Sequence, residues 1–157
     1  ASTSATFNIT QAAISVATYA SIADQTYSTY AITPGVSLTY GADNPLVSGT
    51  DYKSVTYANN VNVGTATITV TGIGNYTGTK STTFKIVPRN ISTTTGAAIG
   101  NYTYTTSEIK PVPSYSYGAD SPLVSGTDYK SITYTNNINV GTAKITVTGI
   151  GNYETNN

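Results

Sequence analysis

Six residues carry the clearest pattern in the chain. In Ala66-Thr67-Ile68-Thr69-Val70-Thr71 every second side chain is apolar, so Ala66, Ile68 and Val70 share one face and three threonines share the other. A period of two predicts a half-buried antiparallel strand. A helix would put Thr67 and Thr71 on the same face as Ile68 and break the apolar stripe. Short runs of the same kind predict strands near 14–19, 26–30, 36–40, 52–57, 64–71 and 82–87. Turn residues separate them: Gly41-Ala42-Asp43-Asn44-Pro45, Ser48-Gly49-Thr50-Asp51, the asparagine-rich run 59–64, and Gly72-Ile73-Gly74-Asn75. The predicted inward set is Ile14, Val36, Leu38, Leu46, Val55, Tyr57, Val63, Ala66, Ile68, Val70, Phe84 and Ile86, with Tyr40 as a further core aromatic.

The pattern occurs twice. Residues 40–76 read YGADNPLVSGTDYKSVTYANNVNVGTATITVTGIGNY, and residues 117–153 repeat them at an offset of 117 − 40 = 77 positions. Only five positions differ: Asn44/Ser121, Val55/Ile132, Ala58/Thr135, Val61/Ile138 and Thr67/Lys144. The first and third of these, and the Thr67/Lys144 change, alter polarity or charge, which places them towards water. Val55/Ile132 and Val61/Ile138 keep a β-branched apolar side chain, a swap that a packed core tolerates. The Lys144 position lies on the threonine face, so pattern and substitution agree. Self-similarity at a fixed period marks a repeat array. The match extends outwards: Ser4–Ile9 (SATFNI) corresponds to Ser81–Ile86 (STTFKI), so this strand both precedes and closes the first copy. The second copy stops before its own equivalent. Either that strand belongs to the start of a following module, or module two has an open edge, which Ser4–Ile9 of a neighbour could fill head to tail through β-augmentation.

The expected organisation is therefore a strand over 1–10 equivalent to the last strand of a preceding module, module one over 11–87, and module two over 88–157. Pro88, at the joint in Val87-Pro88-Arg89-Asn90, stiffens the connection. The expected fold is all-β: two tandem antiparallel β-sandwich modules forming an elongated rod.

Charge changes the picture of partners more than that of fold. Seven basic residues balance seven acidic ones, which argues against a nucleic-acid or anionic-membrane partner. No apolar run is long enough for a spanning helix, and no signal pattern begins at Ala1, so a segment of a longer mature protein is expected. The chain has no His and no Cys, so a Ser or Thr nucleophile lacks its usual imidazole base and thiolate chemistry is excluded. Asp43 and Asp51, with copies Asp120 and Asp128, could pair for glycoside hydrolysis or share a Ca²⁺ ion. All four lie in turn clusters, where Asp is favoured for local backbone bonds, and the turn role is expected. Lys53 and Lys130 recur at a strand entry; they are expected to be exposed rather than cross-linked to asparagine. No cofactor and no metal site is expected.

At DYKSVTYANNVNVGTATITVTGIGNYTG (51–78), followed by TFKI at 83–86, the chain resembles the Ig-like tandem repeats of large secreted or wall-attached bacterial proteins of Gram-positive type. The resemblance rests on the Asp-Tyr pair, the Asn-Asn-x-Asn-Val-Gly-Thr turn, the Gly-Asn-Tyr close and the Thr-Phe-x-Ile strand. Module two lacks the last of these. The resemblance implies Ig-like sandwiches outside the cell, acting as spacer or adhesin stalk, with neighbouring repeats as partners and no catalytic residues. The alternative is a carbohydrate-binding module. Its partner would be a glycan or host-surface ligand, stacked on tyrosines expected to be exposed: Tyr27, Tyr30, Tyr52, Tyr76, Tyr102 and Tyr104.

Overall fold

The computed structural model describes residues 2–155; the first residue of the 1–10 segment and the last two of 88–157 lie outside the described residues. The structure is all-β. The first eight strands are β1 (Ala12–Ala13), β2 (Thr18–Tyr19), β3 (Gln25–Thr26), β4 (Leu38–Thr39), β5 (Tyr52–Ala58), β6 (Gly64–Gly72), β7 (Tyr76–Thr77) and β8 (Thr79–Val87). The rest are β9 (Arg89–Asn90), β10 (Thr95–Gly96), β11 (Tyr115–Ser116), β12 (Tyr129–Thr135), β13 (Lys144–Gly149) and β14 (Tyr153–Glu154). Two compact units form. The first contains 1–24, 33–60 and 65–85; the second contains 86–157 together with 25–32 and 61–64, which the repeat register assigns to the first copy.

In the first unit β6 lies between β5 and β8. The alternation predicted for β6 holds: Ala66, Ile68 and Val70 are completely buried, while Thr67, Thr69 and Thr71 are half-buried. Thr69 Oγ1 lies 2.8 Å from Ser81 Oγ, which ties the threonine face of β6 to β8. Ile14, Ala17, Leu38, Leu46, Tyr52, Val70 and Tyr76 pack together as one core. β1 runs parallel to β7, and β2 runs antiparallel to β4.

Three local departures from simple alternation have physical causes. The run 14–19 is not one strand, because residues Ile14–Val16 form a 3-10 turn in which the Ala17 N–H donates to the Ile14 carbonyl. Three-residue spacing then buries Ile14 and Ala17 and leaves Val16 outside. In the second copy Asn90 Oδ1 caps the equivalent turn by accepting the Ser92 N–H at 2.9 Å. The run 26–30 ends as strand at Thr26, and Thr29 has φ 69. In β5 the register slips between Lys53 and Thr56, where Ser54 takes φ 52. This bulge inserts one residue, so Tyr52 is buried although it stands an odd number of positions from half-buried Tyr57. β12 repeats the device at Ser131 and buries Tyr129. Lys53 and Lys130, beside the bulges, are exposed.

Two further expectations are corrected. Tyr40 is exposed rather than core, although its ring meets Tyr76 edge-on at 5.4 Å. Residues 4–9 form no strand among the described residues; Phe7 is 85% and Ile9 88% exposed. With no neighbouring strand beside them, their apolar side chains have nothing to bury against.

In the second unit β3 pairs parallel with the end of β8, β9 with β14, and β10 antiparallel with β11. β12 and β13 form a two-stranded sheet. Tyr27, Ile91, Leu123, Tyr129 and Tyr153 are buried. β13 differs from β6 over Ala-x-Ile-Thr-Val-Thr by one residue, yet Ala143 is exposed and Ile145 and Val147 are only half-buried. No helix among the described residues is long and apolar enough to cross a membrane.

Candidate functional site

In each unit a tyrosine–aspartate clamp ties the Gly-Ala-Asp turn to a later strand. In the first, the Tyr76 hydroxyl donates to Asp43 Oδ2. In the second, Tyr153 and Tyr27 both donate to Asp120 Oδ2, at 2.8 and 2.7 Å, and their rings meet edge-on at 5.6 Å. The neighbouring turn is closed by a carboxylate of its own. Asp51 Oδ2 accepts the Val47 N–H and Asp128 Oδ2 accepts the Val124 N–H, both at 2.7 Å. Of the carboxylates weighed for hydrolysis or Ca²⁺, Asp51 and Asp128 thus engage local backbone donors, as turn residues do, whereas Asp43 and Asp120 accept from tyrosines distant in sequence. Among the described residues no three of His, Cys, Asp and Glu come together.

These surroundings favour neutral phenols. The bond to Asp43, joined by burial, pushes Tyr76 up to about 12 from 10.0. Burial, then the bond to Asp120, pushes Tyr27 up to about 12 and Tyr153 up as well.

The tyrosines expected at a sugar-binding surface fall into two groups. Tyr27, Tyr52 and Tyr76 are buried, which corrects the expectation that they are exposed. The bulge turned Tyr52 inward, and the clamps account for the other two. Tyr30, Tyr102 and Tyr104 are exposed. Of the exposed three, Tyr102 and Tyr104, at 59% and 51% exposure, line one groove in the second unit.

That groove encloses about 730 Å³. Its floor is built by the start of β13 with Ile145, by Tyr134 of β12, and by Ile109 and Pro111. The walls are locally fixed. Tyr134 donates its hydroxyl to the Pro111 carbonyl at 2.7 Å, repeating the bond from Tyr57 to Pro34 in the first unit. Asn137 holds Ile109 through two bonds: its carbonyl accepts the Ile109 N–H at 2.8 Å and its Nδ2 donates to the Ile109 carbonyl at 3.1 Å. Asn136 takes φ 55, a conformation asparagine tolerates, and so turns the chain out of β12. Tyr134 and residues 136–145 of this groove lie in the repeated block, whereas Tyr102, Tyr104, Ile109 and Pro111 precede it.

No protein-family model, no curated protein and no solved structure matches this chain.

Proposed function

We propose that the chain is a pair of tandem Ig-like β-sandwich repeats serving as a non-catalytic structural spacer. Its setting is a bacterial cell-surface or secreted adhesin-like protein, outside the cell, where it projects a functional domain. The observation that carries this reading is the use of the repeated polar residues. Asp43, Asp51, Asp120 and Asp128 all hold turns and strands of their own units together. Residues repeated for cohesion suit a load-bearing module better than a duplicated reaction centre. Extending the full chain between handles in a single-molecule force experiment tests it. Discrete unfolding peaks that recover on relaxation are expected, whereas extension without resistance sinks the spacer role. Hydrolysis of a polysaccharide panel that disappears in Asp51→Asn would overturn the non-catalytic part.

A second reading, carbohydrate binding, is favoured by one observation: Tyr102 and Tyr104 stand on the groove beside Asn101 and Asn139. Aromatic faces with amides nearby suit sugar rings. Glycan-array binding that is lost on Tyr102→Ala and Tyr104→Ala together is the result this reading requires.

A further inference from the structure

We propose that the loops 25–32 and 61–64 of the first copy are a docking surface for two turns of the copy that follows, Gly118-Ala119-Asp120 and Gly151-Asn152-Tyr153. The docking is keyed by Thr29 on Gly118 and makes the two copies unfold together. This goes beyond the spacer reading and does not depend on it.

Both loops lie in the second unit, although the repeat register gives them to the first copy. Tyr27 donates its hydroxyl to Asp120 Oδ2 at 2.7 Å, and its carbonyl accepts from Arg89 Nε at 2.8 Å. Thr29 Oγ1 accepts the Ala119 N–H at 3.1 Å. Asn152 holds the other loop twice: its Nδ2 donates to Asn62 Oδ1 at 3.0 Å, and its Oδ1 accepts the Val63 N–H at 2.9 Å. The Arg89 guanidinium also lies over the Tyr117 ring, 4.1 Å from its centre.

Two observations mark this contact as built rather than incidental. The first is strain. Thr29 takes φ 69, which is costly for a β-branched residue, and Thr106, 77 positions later, takes φ 66. The repeat therefore specifies the conformation. Strain of this kind persists only where the surroundings hold it, and it marks working positions. The second is fit. A Cβ added at Gly118 would collide with Thr29 Oγ1, with Thr29 Cγ2 and Cβ at 3.2 and 3.3 Å. Turning the threonine about χ1 only exchanges hydroxyl for methyl, so no room opens. Gly41 holds the same place in the first copy at φ +56, against +55 at Gly118, and a Cβ added there meets nothing within 4 Å.

The first copy supplies the undocked comparison. Tyr40, Asp43 and Asn75 are exposed, whereas Tyr117, Asp120 and Asn152 are half-buried. Arg89, which braces the contact, stands where the first copy has Ala12. Both loops are continuous at each end with residues of the first unit, so the docking is lost when either copy unfolds. In a tandem array such a nearest-neighbour interaction decides whether copies melt together or singly.

Differential scanning calorimetry of the full chain tests this, with urea titration of paired variants. The wild-type chain is expected to melt in one transition whose calorimetric and van't Hoff enthalpies agree. Gly41→Ala and Gly118→Ala carry the same backbone strain, so the difference between them reads the docking. Gly118→Ala should lower the folding equilibrium constant about tenfold or more beyond Gly41→Ala, and split the melt into two transitions. In a Thr29→Gly background, which gives the added methyl room, that gap should close. Arg89→Ala adds no bulk and should also split the melt, which keeps the test open if Gly118→Ala does not fold. The proposal is overturned if the wild-type chain already melts in two transitions, or if Gly118→Ala costs no more than Gly41→Ala. It is also overturned if the gap survives in Thr29→Gly, or if Arg89→Ala leaves one transition with matching enthalpies.

Discussion

Tyr153 and Tyr27 share one acceptor, Asp120 Oδ2, so that carboxylate does more for the second unit than any single tyrosine does. Tyr153→Phe is expected to cost about 1–3 kcal/mol, the range for a hydrogen bond to a charged group. Asp120→Ala should cost more, because it orphans two buried hydroxyls; urea titration of the two variants checks the order. The raised phenols also set a direction with pH. Tyr27 and Tyr76 move from 10.0 to about 12, so the folded chain binds more protons than the unfolded one between those values. Their stabilisation is complete below pH 10 and is lost as pH rises from 10 through 12. Urea midpoints should therefore be flat from pH 8 to 9 and fall at pH 10 to 11, and less steeply in Tyr76→Phe. Glycine has a comparable local role at Gly74, where φ is +63 and an added Cβ would stand 2.5 Å from the Thr50 carbonyl oxygen. Gly74→Ala should destabilise by roughly 2 kcal/mol or more, measured by thermal melting.

At the scale of elements, β6 and β13 are a built-in control, because nearly one sequence sits in two environments. Ile68 is fully buried between flanking strands, and Ile68→Ala should cost ~2–4 kcal/mol. Ile145 occupies the same position in β13 but is half-buried, so Ile145→Ala should cost roughly half as much or less. Equal losses by urea denaturation of dilute protein would show that β13 is covered after all. The strands themselves were legible where alternation ran long, as in β6 and β8. They were misjudged where one residue breaks the count. The Ser54 bulge reverses the parity of Tyr52, and the 3-10 turn at Ile14–Val16 replaces a period of two with three. Neither residue advertises this, since serine is ordinary in strands and the apolar run Ile14–Ala17 fits either geometry.

For the whole molecule, the repeat and the compact units divide the chain differently. The second unit takes in Tyr27, whose carbonyl accepts from Arg89 Nε at 2.8 Å, and Asn62 and Val63, both bonded to Asn152. Residues 88–157 produced alone lack all three. They should fold less cooperatively than the same residues in the full chain, with lower near-ultraviolet dichroism and faster exchange at β14. A fragment as well ordered as the parent would show those bonds to be dispensable.

The amino-acid sequence by itself determined that the chain is β, that it repeats at 77 positions, and which face of each long strand is apolar, because side-chain direction along an extended backbone depends only on parity. Tertiary structure decided which of those faces are covered. The same Ala-x-Ile-Thr-Val-Thr is core in β6 and part-exposed in β13, since burial belongs to a strand together with its neighbour. It likewise decided the tyrosines: their abundance was plain, but Tyr76 went inward to Asp43 while Tyr102 and Tyr104 stayed on a groove, and only the position of a partner distinguishes the two outcomes.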